Sequence, residues 1–211
     1  MSKPRVPEKG DPAYFKVRDS MADQVYVNED PAKKGWIDTV RRIYIAPVNT
    51  SRTQIVQPHG VDKSDLDAWE MTAEEEQVIN SKFAREMTRA LEADQAFHVV
   101  GNPAEAQAEL HAKLIAIHPY QPRSVVESGG KGGGAVTMSF ALVDPADNAV
   151  MIRALDSKST DNIWAFHNMK TEMTALDLIF GLWGHQVRRS ILFLQGRLDS
   201  APPPILLKPQ Q

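Results

Sequence analysis

The segment most suggestive of chemistry is SGGKGGG, Ser128 to Gly134. Glycines let backbone N–H groups close on an anion, and Lys131 among them invites comparison with a phosphate-binding loop. The fuller pattern fails, because no Ser or Thr follows Lys131 and the next residues alternate as a strand rather than opening a helix. The segment reads as a mobile hairpin loop whose glycines cost entropy to order. Of the six histidines, His98, His111, His118, His167 and His185 show neither H-x-x-x-H nor H-E-x-x-H spacing, so each is expected in a structural or surface role rather than as a metal ligand. His111 and His118, seven apart on one expected strand, would face opposite sides. No G-x-S-x-G elbow is present. The carboxylate pairs Asp65/Asp67 and Asp144/Asp147 lie in expected turns, where Asx chemistry explains them. These residues assign no catalytic, cofactor-binding or metal site, and the chain is expected not to be an enzyme.

Composition narrows the classes further. The 211 residues are enough to bury a full core as one domain, and a net charge of −3 with 24 scattered basic residues offers no field for nucleic acid. The absence of cysteine removes disulfides, thiolate nucleophiles and thiolate metal sites together. The longest apolar run, Leu176 to Leu194, is interrupted by His185, Arg188 and Arg189, which are costly in a bilayer. The N-terminus, MSKPRVPEKGDP, carries no apolar signal core.

The elements that would position any site follow from periodicity. Leu110, Ala112, Leu114 and Ala116 alternate with His111, Lys113, Ile115 and Ile117, and the same period of two recurs through Val136–Leu142 and Val150–Leu155. Asp144-Pro145-Ala146-Asp147-Asn148 closes the last two runs into an antiparallel hairpin. Arg41–Val48 is a further strand that should stop pairing near Pro47, which lacks a donor. Val25–Val27 reads as a short edge strand and Phe97–Val100 as another strand. Asn49–Glu70 reads as a long surface loop.

Two helices complete the pattern. Thr72-Ala73-Glu74-Glu75 is a capping box, and Ile79, Phe83, Met87 and Leu91 form the apolar stripe of a helix running to about Gln95. Its Lys82, Arg85, Glu86 and Arg89 read as a solvated face. Thr174-Ala175-Leu176-Asp177 opens a second helix, apolar nearly all round and so expected to be covered on more than one side. Gly181 and Gly184 inside it predict either close approach of a neighbouring backbone or a bend.

The expected fold class is therefore α/β (α+β): a single mixed or mostly antiparallel sheet of about five strands with two main helices, in the order β-α-β-β-β-α. Residues 1–24 would be an irregular arm docking at best through Tyr14 and Phe15, residues 25–199 the domain, and residues 200–211 an extended Pro-rich tail.

Several of these segments, RRIYIAPV after a Trp36-containing turn, MTAEEEQVINSKFAREMTRAL, AELHAKLIAI and FALVDPADNAVMIRALD, carry a likeness. Through them the chain resembles an uncharacterised family of bacterial cell-envelope lipoproteins. The layout is also similar to penicillin-binding-protein activators, the curli-secretion lipoprotein and auxiliary lipoproteins of lipid transport. The resemblance implies an adaptor or assembly factor rather than an enzyme. It also implies a lipobox signal, acylation on a cysteine, and a periplasmic domain anchored to the outer membrane. The missing cysteine departs from that pattern. It fits a chain that starts just past the acylated residue with Met1 supplied for translation, or a cytosolic homologue.

The leading expectation is a non-catalytic periplasmic adaptor that binds another envelope protein. Aromatic side chains supply rigid contact area, so Trp69, Tyr120, Trp164 and Phe166 are the candidate partner-binding residues. The alternative is a small-molecule or lipid-binding module using the apolar 174–198 helix. The two separate on whether Leu182, Trp183 and Leu192 face a cavity or a packed sheet. Homo-oligomerisation through the same helix is a third possibility.

Overall fold

Three long strands form the centre of the molecule because the chain alternates over three consecutive runs. A computed structural model describes residues 14–17, 22–56, 71–122, 124–125, 129, 132–163 and 175–197. The strands are β1 Tyr14–Val17, β2 Gln24–Asn28, β3 Arg42–Ile45, β4 Gln54–Ile55, β5 His98–Val100, β6 Ala108–Pro119, β7 Gly134–Asp144 and β8 Ala149–Thr160. The helices are α1 Trp36–Thr39, α2 Ala73–Glu92 and α3 Ala175–Leu194. All eight strands join one mixed sheet in the order β1-β2-β8-β7-β6-β3-β5, with β4 beside β6. The antiparallel half runs from β1 to β6, while β3/β5, β3/β6 and β4/β6 are parallel. Parallel neighbours need a long crossover, and α2 supplies it between β3 and β5.

The α/β class agrees with the sequence, but eight strands replace the expected five or so. Tyr14–Val17, inside the segment expected to be irregular, pairs with β2. Val25–Val27 is consequently interior, between β1 and β8, and not an edge. The two residues of β4 are too few to show a period. They come from the described part of the expected 49–70 loop, which tracks β6 through an Asn49–Lys113 bridge and the Gln54–Ala116 pair.

Local chemistry sets the boundaries. Thr72 Oγ1 accepts from the Glu75 amide at 3.2 Å while Glu75 Oε2 accepts from the Thr72 amide at 2.7 Å, so the capping box is complete. In the β7–β8 turn Asp144 Oδ1 accepts from Ala146 N at 3.0 Å, Asp147 Oδ1 from Ala149 N at 3.1 Å, and Asn148 takes the left-handed φ of 61°. Ladder pairing of β3 ends just before Pro47, as expected.

Two bulges alter the alternation. Ile115 in β6 and Met151 in β8 each stand opposite no partner residue on β7. Past a bulge the side-chain phase inverts. His111 pairs with Ala141 and His118 with Ala135, both on the outward row of β7, so the two histidines share a face instead of opposing one another.

The core lies on the inward face of the sheet. Val136, Met138, Phe140 and Leu142 are buried there. Phe83 of α2 stacks on Phe140 at 6.4 Å, and Trp183 of α3 meets it edge-on at 5.5 Å. Phe180 closes the cluster against Phe83 at 5.4 Å. α3 is covered on two sides, by the sheet and by α2, in line with its apolar sequence. Close approach accounts for Gly184, where a Cβ would stand 2.6 Å from Ala90 Cβ and 3.3 Å from Glu86 O; at Gly181 a Cβ would meet only side-chain ends at 3.5 Å and beyond.

Candidate functional site

The outward row of β7 is Ala135, Thr137, Ser139 and Ala141, all small and partly exposed. Register sets His111, Lys113 and His118 of β6 on one side of this row, and Arg153, Leu155, Ser157 and Ser159 of β8 on the other. No described helix covers this face. The result is a shallow strip of small side chains between two higher rims, with the cations Lys113 and Arg153 against one carboxylate, Glu109, which lies 2.8 Å from His111. Thr137 and Ser157 hydroxyls bond across the strip at 2.5 Å. Tyr120, just past the end of β6, is 55% exposed. Its hydroxyl lies 3.4 Å from Ser159 Oγ, which sets the ring at one end of this open face.

Of the four candidate partner-binding residues, Tyr120 is thus placed on an accessible surface. Trp69, Trp164 and Phe166 lie outside the described residues, as do Lys131 of the glycine-rich loop and Thr174 before α3.

On the opposite face, only part of the charged set of α2 is the solvated surface that its pattern suggests: Arg85 and Arg89 are 57% and 71% exposed, while the side chains of Lys82 and Glu86 are largely buried. Glu86 is buried, and Asp177 at the start of α3 is buried too. Asp177 accepts from Lys82 Nζ at 2.9 Å and from Arg85 Nη2 at 2.8 Å. Glu86 takes Arg85 Nε at 3.0 Å and also contacts Arg89. The cluster fastens α2 to α3. Sequence alone could not reveal it, because Asp177 lies far along the chain from Lys82.

A second buried carboxylate, Asp156, sits on the inward face of β8. Its Oδ2 accepts from Trp183 Nε1 and from Lys158 Nζ, each at 2.7 Å, and its Oδ1 from the Asp23 amide at 3.1 Å. It is fully occupied as a structural anchor between sheet and helix. Beside it, Trp183, Phe140, Val187 and Ile152 border an apolar cavity of about 50 Å³, room for a water or two and far below the several hundred Å³ of a ligand site. Trp183 and Leu192 pack into the core and Leu182 is 40% exposed, so none of the three lines a ligand-sized cavity. A wider surface depression of about 530 Å³, beside β2 and α1, touches α3 only at Leu194.

Titration adds little catalytic colour. Hydrogen bonds that it donates to Asp144 and then Asp147 hold the Lys33 ammonium above its ordinary pKa, and Lys33 in turn holds Asp147 below the usual carboxylate range. Lys33 Nζ lies 2.7 Å from each carboxylate, clamping the β7–β8 turn. His185 is held below its ordinary value by burial first, then by Arg188 and Arg89. Among the described residues no three His, Asp or Glu side chains converge as a metal site, and no helix is long and apolar enough to cross a membrane.

No protein-family model and no curated protein matches the chain. Solved structures do. A PelC dodecamer from Paraburkholderia phytofirmans is 11% identical over 70% of this chain and 86% of its own, at a TM-score of 0.38. A Xanthomonas campestris protein of the DUF330 family is 13% identical over 80% and 93%, at 0.39. An uncharacterised lipoprotein B from Nitrosomonas europaea is 14% identical over 88% and 96%, at 0.36. Uncharacterised bacterial lipoproteins are therefore among its structural neighbours, as the sequence resemblance implies, and at these identities and scores the likeness carries no argument about function.

Proposed function

We propose that this domain is a non-catalytic adaptor or assembly factor of the cell envelope, a periplasmic lipoprotein domain anchored to the outer membrane, that holds another envelope protein on its open sheet face. The observation that carries the reading is Tyr120, a large aromatic side chain 55% exposed at the end of a sheet face that no described helix covers. A flat face bordered by Lys113, Arg153, His111 and His118 suits a partner with an acidic surface, and an aromatic ring at its end offers rigid contact area. Trp69, Trp164 and Phe166 are proposed as further partner contacts on the strength of their residue type.

The test is a photo-crosslinking amino acid placed at Tyr120 in the full-length protein, in native envelopes, with Glu74 on the exposed start of α2 as the control position. One defined protein joined at Tyr120 and not at Glu74, and lost in Lys113→Glu, supports the adaptor. Equal labelling at both positions overturns it. Recovery of a defined lipid or metabolite without a protein transfers the function to the alternative, a small-molecule or lipid-binding module, against which the small cavity beside Trp183 stands.

A further inference from the structure

Leu178, Leu182, His185, Arg189 and Phe193 recur at intervals of three and four along α3 and fall within an arc of roughly 80° at 3.6 residues per turn. The sheet and α2 cover the remaining circumference. Leu178 is 48% exposed, Leu182 40% and Phe193 59%. These three are joined by only Tyr120 and Val125 as exposed large apolar side chains among the described residues, so the apolar exposure of the molecule is concentrated in one line about 22 Å long. A lone surface leucine needs no explanation; two leucines one turn apart and a phenylalanine on the same arc, with His185 and Arg189 between them, mark a contact.

The charge around the line identifies the contact. Arg189 lies within it, and Arg85 and Arg89 of α2 border it with side chains 57% and 71% exposed. The nearby carboxylates are already taken: Glu86 and Asp177 are buried against Arg85, Arg89 and Lys82, and Asp94 holds Arg188 at 2.9 Å. Arg85 and Arg89 are tied to those same carboxylates, so the face offers apolar side chains beside a net positive charge, with Lys82, Arg85, Arg89, Arg188 and Arg189 outnumbering Glu86, Asp177 and Asp94. Burial and the positive charges of Arg188 and Arg89 keep the His185 imidazole neutral at pH 7.

The geometry points to a lipid-docking surface: α3 lies in the plane of an anionic membrane interface, with Leu178, Leu182 and Phe193 entering the boundary between headgroups and acyl chains. The main apolar face of α3 is buried in the core, so the docking rests on this narrower outer stripe, with Arg189 long enough to reach phosphate groups while its carbon chain stays in the apolar layer. A second copy of the chain fits poorly. A two-fold pairing about the middle of the stripe would set Arg189 against Leu182 of the second copy and bury its guanidinium with no carboxylate opposite.

The inference is independent of the adaptor reading, since pure lipid vesicles contain no protein partner. The experiment is co-sedimentation of the chain with vesicles of phosphatidylcholine alone and of phosphatidylcholine mixed equally with phosphatidylglycerol. The wild type is expected to bind the mixed vesicles at least about tenfold more tightly, with binding that weakens as salt screens the arginines. Arg189→Gln should lose about fivefold on mixed vesicles and nothing on neutral ones. The double substitution Leu182→Gln with Phe193→Gln should lose at least about tenfold on mixed vesicles. Both residues are exposed, so the urea midpoint should not move, and Leu178→Gln serves as a second probe of the same stripe. A wild type that ignores both vesicle types overturns the inference. So does undiminished binding by the double variant, or a dimer in sedimentation velocity that the same substitutions dissolve.

Discussion

Gly184→Ala and Gly181→Ala make the same chemical change three residues apart on one helix, and they are expected to act with opposite sign. In an isolated helix either would stabilise by about 1 kcal/mol, because glycine costs more backbone entropy than alanine. At Gly181 the new methyl would stand 3.5 Å from Arg89 Nη2 and 3.7 Å from Glu86 Oε2, ordinary contacts with the ends of side chains. The gain should survive there. At Gly184 it would stand 2.6 Å from Ala90 Cβ and 3.3 Å from Glu86 O. Neither atom can rotate away, since one is a Cβ and the other is helix backbone. α2 and α3 must move apart by about an ångström, which strains the Phe83–Phe180 contact as well. Overpacking of this kind costs about 1–3 kcal/mol, and rigid neighbours place it at the upper end. Net of the helix gain, Gly184→Ala should destabilise by about 2 kcal/mol. With a urea slope of roughly 2 kcal/mol per M, its midpoint should fall by about 1 M while that of Gly181→Ala holds or rises. Pairing Gly184→Ala with Ala90→Gly moves the methyl to the other helix and should return the midpoint close to wild type. Equal midpoints for the two alanine variants, or a double variant no better than Gly184→Ala, would refute the close-packed interface.

Two further outcomes test the charged interior. Lys82→Met leaves the buried Asp177 with Arg85, whose side chain is 57% exposed. Urea unfolding should show a loss of about 3 kcal/mol, the low end for breaking a buried pair, and Lys82→Met with Asp177→Leu should recover most of it; a loss below about 0.5 kcal/mol would return this face to solvated surface. His185 has a folded pKa below its ordinary 6.5, so the unfolded chain takes up its proton first as pH falls. The neutral imidazole's contribution is therefore complete above pH 6.5 and is lost as pH drops from there through the folded value. Thermal unfolding across that range should show His185→Gln with a flatter decline than wild type; parallel curves would contradict the assignment.

Features written into neighbouring residues were legible in the sequence, and features made by distant ones were not. The Asp144–Asn148 turn and the Thr72 capping box depend on residues two or three apart, and both form with the expected bonds. The inward rows of β6, β7 and β8 were legible for the same reason. The bulges were not, because Ile115 and Met151 are ordinary strand residues whose displacement is fixed by pairing with β7. That displacement is what moved His118 onto the face of His111. Gly181 and Gly184 left close approach and a bend open; the approach forms at Gly184, and its partner, α2, was not named by the sequence. Lys82 looked like surface because the residue that draws it inward, Asp177, is contributed by another helix. Of the site, residue type singled out Tyr120, but its position at the end of an open face needed β6, β7 and β8 assembled in register.

The fold itself keeps the two proposed contacts apart. An antiparallel sheet can leave one face to solvent, and here the outward row of β7 is small and polar while the inward row is large and apolar. Both long helices are drawn to the inward row, so their own outer surface becomes the far side of a two-layer domain. Tyr120 and the Leu178–Phe193 stripe therefore point in opposite directions, separated by the sheet and the α3 layer. A domain so arranged can rest on a lipid surface by its helices and still hold a protein on its sheet, and neither contact blocks the other. This separation also gives the two proposals distinct signatures. Tyr120→Ala should leave vesicle binding unchanged, and the Leu182→Gln, Phe193→Gln pair should leave crosslinking through position 120 intact when the native anchor holds the protein at the membrane. If either substitution abolished both activities with the urea midpoint unmoved, the contacts would share a surface, and the two-sided arrangement would be the wrong account of how this fold works.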